Sequence, residues 1–195
     1  MNEPLGPADD ASTPLTEEEK RDLIPSYITL RAELNEAEQA NILEAAAWAF
    51  SRQREVLDER FLKELHRRMF GRVWRWAGRY RLSGRNIGVN AWQIPVELRQ
   101  LLDDCRFWID NATYPPDEIA ARFHHRLVLT HPFPNGNGRH ARLATDLLLV
   151  ALGRPRFSWG RASLVHAGQT RRHYIESLHA ADAHDLAPLL EFVRS

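Results

Sequence analysis

The chain has a single cysteine, Cys105, only two lysines, Lys20 and Lys63, and no net charge, and each scarcity removes a class of protein. One thiol allows no intrachain disulfide and no cysteine-built zinc cluster. Cys105 falls on the apolar stripe of an expected helix, where a buried thiol belongs. The 26 acids balance 26 bases, so the whole-chain field offers no general attraction to nucleic acid or to a membrane surface. No apolar run approaches the roughly 20 residues that span a bilayer. The first residues carry Asp, Pro and Glu in place of a basic and then apolar leader, so the cytoplasm is the expected compartment. With lysine nearly absent, 24 of the 26 bases are arginine. That bias suits planar recognition of phosphate, although GC-rich coding produces it too.

The even total hides a gradient. Met1 to Asp22 hold seven acids against two bases, so this segment carries −5 and the remainder +5. Pro4, Pro7 and Pro14 stand there among acids and small residues without periodicity, which predicts a flexible acidic tail over residues 1–22. The rest reads as one domain over 23–195, with a lead-in at 23–34 and a core at 35–195.

Asn35 with Glu38 three residues on resembles a capping box, followed by a stripe of Ile42, Leu43, Ala46, Ala47 and Phe50. Asp58 opens a second helix carrying Phe61, Leu62, Leu65 and Met69, with Gly71 expected just past its end. Between Trp74 and Trp92 the period shortens. Gly78, Gly84 and Gly88 punctuate Tyr80, Leu82, Ile87 and Val89, which predicts a short hairpin turning at Ser83-Gly84. Pro95 and Pro116 each start a helix, a third runs from Arg139 to Leu152, and two more follow at about 170–181 and 185–194. The expected fold is an all-α bundle with one short β-hairpin.

The segment His131-Pro132-Phe133-Pro134-Asn135-Gly136-Asn137-Gly138-Arg139-His140-Ala141-Arg142 lies between two expected helices. Gly136, Asn137 and Gly138 can take positive φ and turn backbone N–H groups inward, making an anion nest. The positive end of the following helix points at the same place. Arg139 and Arg142, three apart, share one face of its first turn and add two guanidinium forks. Two cations at a helix N-terminus repel each other and oppose the dipole, an arrangement that a bound polyanion completes. His131, just before the nest, has the unperturbed pKa suited to proton transfer near neutrality. A base beside a phosphate cradle suggests group transfer to a hydroxyl. There is no Gly-x-x-x-x-Gly-Lys-Ser/Thr sequence, so this is a helix-loop-helix site distinct from a P-loop.

This loop resembles the signature of the Fic (Fic/Doc, or Fido) family, His-x-Phe-x-Asp/Glu-Gly-Asn-Gly-Arg-x-x-Arg. Seven of its eight specified positions match: His131, Phe133, Gly136, Asn137, Gly138, Arg139 and Arg142. Similarity extends over roughly residues 35–195. The whole run also resembles the branch labelled mobile mystery protein B. The resemblance implies a Fic-type helical bundle and a protein adenylyltransferase, which moves AMP from ATP onto a hydroxyl of a target protein. By the same resemblance His131 is the general base and Phe133 packs inward to fix the loop. Gly136, Asn137 and Gly138 form the anion hole, and Arg139 and Arg142 hold the β- and γ-phosphates. The hairpin is a flap, with Leu82, Ser83, Gly84, Arg85, Asn86 and Ile87 docking the target by main-chain pairing.

Asn135 departs from the pattern, because the family places Asp or Glu there to hold Mg²⁺ (or Mn²⁺) against the phosphates. An amide oxygen can ligate but brings no negative charge, so weaker metal binding is expected. The family is often restrained by a helix bearing Ser/Thr-x-x-x-Glu-Gly/Asn. Thr29 and Glu33 fit its first five places and Leu34 fails the last, which makes Glu33 a loose candidate for an inhibitory bridge to Arg142. An antitoxin-like partner, of helix-turn-helix type in the mobile mystery branch, is the alternative restraint.

Other readings remain open at this point. One is a Fic-type transferase of another phosphate-containing group, phosphorylation included, although Gly138-Arg139 stand where Doc-like toxins carry Lys after Asn. A second, from another class, is a phosphate or nucleic-acid binding module without turnover. Arg67, Arg68, Arg72, Arg75, Arg79, Arg81 and Arg85 interleave with Trp74, Trp76 and Tyr80, as on a single-strand binding surface. The neutral total and the acidic tail weigh against it. A zinc site from His124, His125, His131 and His140 lacks ligand spacing. One of the His124–His125 pair is expected to face the core and the other water, and Tyr174 to serve helix packing.

Overall fold

In the computed structural model, the described residues are 16–85, 87–160 and 167–195. Among them the elements are α1 (Glu17–Lys20), α2 (Arg31–Phe50), α3 (Glu59–Phe70), a 3₁₀ turn (Ala91–Gln93), α4 (Ile94–Asp110), α5 (Pro116–Thr130), α6 (Asn137–Ala151), α7 (Ala167–Asp182) and α8 (Ala187–Arg194). The all-α expectation holds, and no helix of the described residues is long and apolar enough to cross a membrane.

Each start has a local cause. Asp58 accepts the Phe61 N–H at 2.7 Å and so caps α3. Prolines occupy the first turns of α4, α5 and α8, where a missing N–H costs nothing. Gly71 ends α3 with a right-handed φ of −72° instead of the left-handed one expected of a glycine past a helix end. Its need is space, because a Cβ there would stand 2.4 Å from the Arg67 carbonyl oxygen.

α2 begins four residues before the expected cap. Glu33 accepts the Thr29 and Leu30 N–H groups at 2.9 and 3.1 Å, closing that end of the helix in place of Asn35 and Glu38. The buried stripe shifts accordingly to Leu34, Glu38, Asn41, Ala45 and Ala49, while Leu43 is exposed. This stripe seats α2 on α3 and α6 around Leu62, Leu65, Met69, Phe70, Phe123 and Leu148. A second apolar cluster joins the far side of α5 and α6 to α7 and α8 through Leu149, Trp159, Tyr174, Leu189 and Phe192. α5 and α6 therefore run through the middle of the molecule, and the loop between them is held from both sides.

The expected hairpin takes a different form. No strand is assigned to the described residues of 79–90, and an isolated bridge joins Leu23 to Trp74. The two limbs are linked instead by a side chain, Arg81, which donates to the Ser83 and Val89 carbonyls. Asn86 lies outside the described residues, as do residues 1–15 of the expected tail. From Thr16 onward the expected tail is ordered. Thr16 and Glu19 form a capping box on α1, Ile24 N–H donates to Val73 O at 2.8 Å, and Arg75 N–H donates to Asp22 O at 3.0 Å.

Candidate active site

His131 ends α5 with a left-handed backbone, φ 50° and ψ 58°, and α6 begins six residues later. The loop between is built by side chains turned into it. Asn137 clamps it, accepting the Phe133 N–H at 2.9 Å through Oδ1 and donating to Phe133 O at 2.8 Å through Nδ2. Phe133 is fully buried, its ring centroid 3.7 Å from that of His66. His66 is itself fully buried. Its Nδ1 accepts the Gly78 N–H at 2.9 Å, so its Nε2 carries the proton and donates to Asn135 O at 3.0 Å. Burial, with His140 nearby, holds its pKa well below the usual imidazole range, in keeping with that neutral tautomer.

The nest is smaller than expected. Only Gly136 takes a positive φ, 78°, and Asn137 and Gly138 already belong to α6. A Cβ on Gly136 would come 2.5 Å from the Phe70 ring, so the position needs glycine for space as well as for backbone. The first N–H groups of α6, at Asn137, Gly138 and Arg139, precede the first intrahelical bond from His140 N to Gly136 O, the position at which a helix can receive an anion. A Cβ at Gly138 would meet only the Tyr174 hydroxyl at 4.0 Å, leaving that approach open to a ligand.

The two arginines differ. Arg139 Nη1 lies 2.6 Å from Oε2 of Glu38, a buried carboxylate on α2 that also accepts the Trp74 indole N–H at 2.6 Å. Arg142 has aromatic neighbours, its guanidinium 4.4 Å from the Tyr174 ring centroid and 5.7 Å from that of Trp159. Tyr174 OH bonds His124 Nε2 at 2.9 Å, so this packing residue also fixes the wall behind Arg142. His124 is the core member of its pair and His125 meets Asp182 at 2.7 Å. His140 turns inward, not toward the phosphate face, and bonds Leu62 O at 2.9 Å.

No ion pair between Glu33 and Arg142 occurs among the described residues, and Thr29 gives its N–H to Glu33. The Glu33 carboxylate is spent on capping α2, and the acid that meets a loop arginine is Glu38.

His131 is buried, only 5% exposed, and its pKa is pushed down to about 4, first by burial and then by the charges of Arg81 and Arg85, against a backbone hydrogen bond with Val128. The imidazole is therefore neutral at neutral pH and has a lone pair to accept a proton. The flap covers it, with Leu82 at 95% exposure standing outward and Gly88 against the His131 side chain. Ser83 accepts from Arg85 at 2.8 Å, and Arg85 pairs with Glu19 of α1. A Cβ on Gly84 would meet nothing within 4 Å, and Ile87 is exposed.

No group of three or more His, Cys, Asp or Glu suited to a metal occurs among the described residues. Asn135 does not make one, because its Oδ1 accepts the Gly136 N–H at 2.6 Å and its carbonyl takes the His66 proton. Asn135 is therefore one neutral candidate for a metal that a nucleotide's phosphates would chiefly hold.

The aromatic-basic run does not form a base-stacking surface. Trp74 and Trp76 are buried and stack on each other at 5.1 Å. Arg67 and Arg68 are paired with Glu64, Arg72 with Glu44 and Arg85 with Glu19.

Residues 56–149 match the family model described as the Fic/DOC family. The chain belongs to the Fic/DOC family. It is 35% identical over 134 residues to protein adenylyltransferase fic-1 of Caenorhabditis elegans, a match covering 67% of this chain and 25% of the relative. It is 33% identical over 134 residues to protein adenylyltransferase Fic of Nematostella vectensis, covering 67% of this chain and 30% of the relative. The chain thus spans well under a third of each curated relative. Among solved structures, residues 134–508 of C. elegans Fic-1 carrying E274G align with a TM-score of 0.64 at 29% identity, covering 90% of this chain and 51% of that one. The BepC effector of Bartonella tribocorum with bound AMPPNP aligns with a TM-score of 0.68 at 20% identity, covering 92% of this chain and 97% of that one, a likeness of fold.

Within this Fic domain four contributors escaped the sequence reading: Glu38, His66, Phe70 and Arg81. Glu38 carried one usable signal, an acid at the Leu34, Asn41 and Ala45 spacing of an apolar helix face.

Proposed function

We propose that the chain is a protein adenylyltransferase that transfers AMP from ATP to a hydroxyl side chain of a target protein. The observation that carries this reading is the joining of a buried neutral histidine, at the end of α5, to the N-terminus of α6 with its two arginines, through one six-residue turn. The names of the relatives and the AMPPNP in the BepC structure agree with ATP as donor.

The target oxygen attacks the α-phosphorus, its proton passes to a ring nitrogen of His131, and the bond to the β-phosphate breaks to release pyrophosphate. The α6 amides receive the phosphate charge, and Arg139 and Arg142 hold the outer phosphates. A triphosphate placed there opposes the Arg81 and Arg85 charges and raises the basicity of His131 as the complex forms. The flap residues Leu82 to Ile87 would seat the target's main chain. Mg²⁺ or Mn²⁺ has one neutral candidate ligand in Asn135, and no step is assigned to a metal. The target is an unidentified protein of the cytoplasm, and an antitoxin-like partner is the expected regulator.

Labelled ATP tests the reading. Label entering protein from the α-phosphate supports AMP transfer. Label entering only from the γ-phosphate would replace it with phosphorylation, and a steep salt dependence of binding to DNA or RNA would favour the nucleic-acid module.

A further inference from the structure

Arg81 is the largest fully buried side chain of the described residues, 1% exposed, and it sits at the root of the flap. Its guanidinium meets backbone carbonyls alone. Nε donates to His131 O at 2.7 Å, Nη1 to Ser83 O at 2.9 Å, and Nη2 to Val89 O. Its own N–H donates to Pro132 O at 3.0 Å. Ser83 and Val89 lie on the two limbs of the flap, and His131 lies at the end of α5. One planar fork therefore fixes three points of chain that share no strand pairing.

Two further observations show that this spacing is tight. His131 holds a left-handed backbone, costly for a residue with a Cβ, and Arg81 grips the carbonyl of that residue. Gly88, at φ +92°, lies where a Cβ would stand 2.5 Å from the His131 Cβ and 3.0 Å from Arg81 Nη2. The flap is in van der Waals contact with the catalytic residue, and Arg81 is the bolt between them.

We propose that Arg81 is a positioning residue: by bonding the carbonyls of His131, Ser83 and Val89 together it sets the distance between the flap and His131, and so the path of a target hydroxyl to the base. The inference rests on the reading of His131 as base and of the flap as target seat. Lysine keeps the charge but cannot present three in-plane donors, so charge alone does not fill the role.

The test compares wild type with Arg81→Lys and Arg81→Ala in the full chain, by three measurements: AMPPNP affinity by calorimetry, hydrogen exchange of the flap amides, and label transfer from α-³²P ATP. In both variants AMPPNP affinity stays within about threefold, because the phosphate groups belong to α6. Flap amides exchange at least tenfold faster, and transfer falls by about a hundredfold, the order expected of a small misplacement. Methylguanidine restores part of the transfer in Arg81→Ala, which a general loss of packing would not allow. Unchanged flap exchange, or a lysine variant as active as wild type, overturns the proposal. Should Arg81→Ala not fold, the lysine variant carries the same comparison. If wild type itself transfers no label, the adenylyltransferase reading fails, and the exchange data still decide whether Arg81 holds the flap to His131.

Discussion

Arg139 Nη1 lies 2.6 Å from Oε2 of Glu38, so one of the two arginines proposed to hold a triphosphate already has an anionic partner inside the chain. Arg142 has aromatic rings on its flanks instead. The two therefore differ in what a nucleotide must displace. Arg139 keeps 39% of its side chain exposed, which limits the strength of the pair to the range of solvent-screened bridges.

Glu38→Gln keeps an acceptor for the Trp74 indole and removes the charge. AMPPNP should bind about two- to tenfold tighter in the variant, the equivalent of about 0.4–1.4 kcal/mol. Calorimetry measures it, and unchanged or weaker binding would mean that the pair is scaffold and does not compete with phosphate.

Asn135→Asp restores the charge that the family pattern places beside the phosphates. Mg²⁺ should then lower the AMPPNP dissociation constant more in the variant than in wild type, and label transfer should rise. If both fall, the loop is built around the amide, whose Oδ1 accepts the Gly136 N–H.

His66→Phe preserves the ring that stacks on Phe133 and deletes both of its hydrogen bonds. Two half-buried backbone partners lose their match, at up to about 1–3 kcal/mol each. Urea denaturation should show a loss of about 2–5 kcal/mol, and a loss below about 1 kcal/mol would show that the stack alone supports the loop.

Acid should unfold the protein earlier than its carboxylates require. His66, His124, His131 and His140 are buried and neutral, with pKa values lowered well below the usual range for His66, to about 3 for His124, and to about 4 for His131 and His140. The unfolded chain takes up protons near pH 6.5 while the folded chain does not. The stability these groups contribute is present above about pH 6.5 and is lost as pH falls from there toward 4. Each contributes a slope of up to about 1.4 kcal/mol per pH unit in that window. Melting temperature against pH checks this, and a flat profile between pH 7 and 4.5 would contradict it.

The loop as a structural unit was legible because its residues are contiguous: His131, Phe133, Gly136 and the two arginines fall within twelve positions. The helices were legible from apolar spacing and from caps such as Asp58 and Pro116. What periodicity could not reveal is contact across the chain. Glu38 reaches Arg139 over 101 positions and His66 reaches Asn135 over 69. Tyr80, Leu82, Ile87 and Val89 alternate as a hairpin would, yet local alternation carries no information about a side chain such as Arg81 that bonds the carbonyls of both limbs. Glu33 matched a pattern on paper, and a nearer use, the open start of α2, claimed its carboxylate.

In the proposed site His131 supplies the base and the α6 terminus the phosphate cradle, as separable parts. Purified full-length wild type and His131→Ala are incubated with α-³²P ATP and Mg²⁺ or Mn²⁺ in bacterial lysate, and AMPPNP affinity is measured for both. Labelled protein bands are expected with wild type, none with His131→Ala, and nucleotide affinities within about threefold of each other. Label persisting in the His131→Ala protein would contradict it.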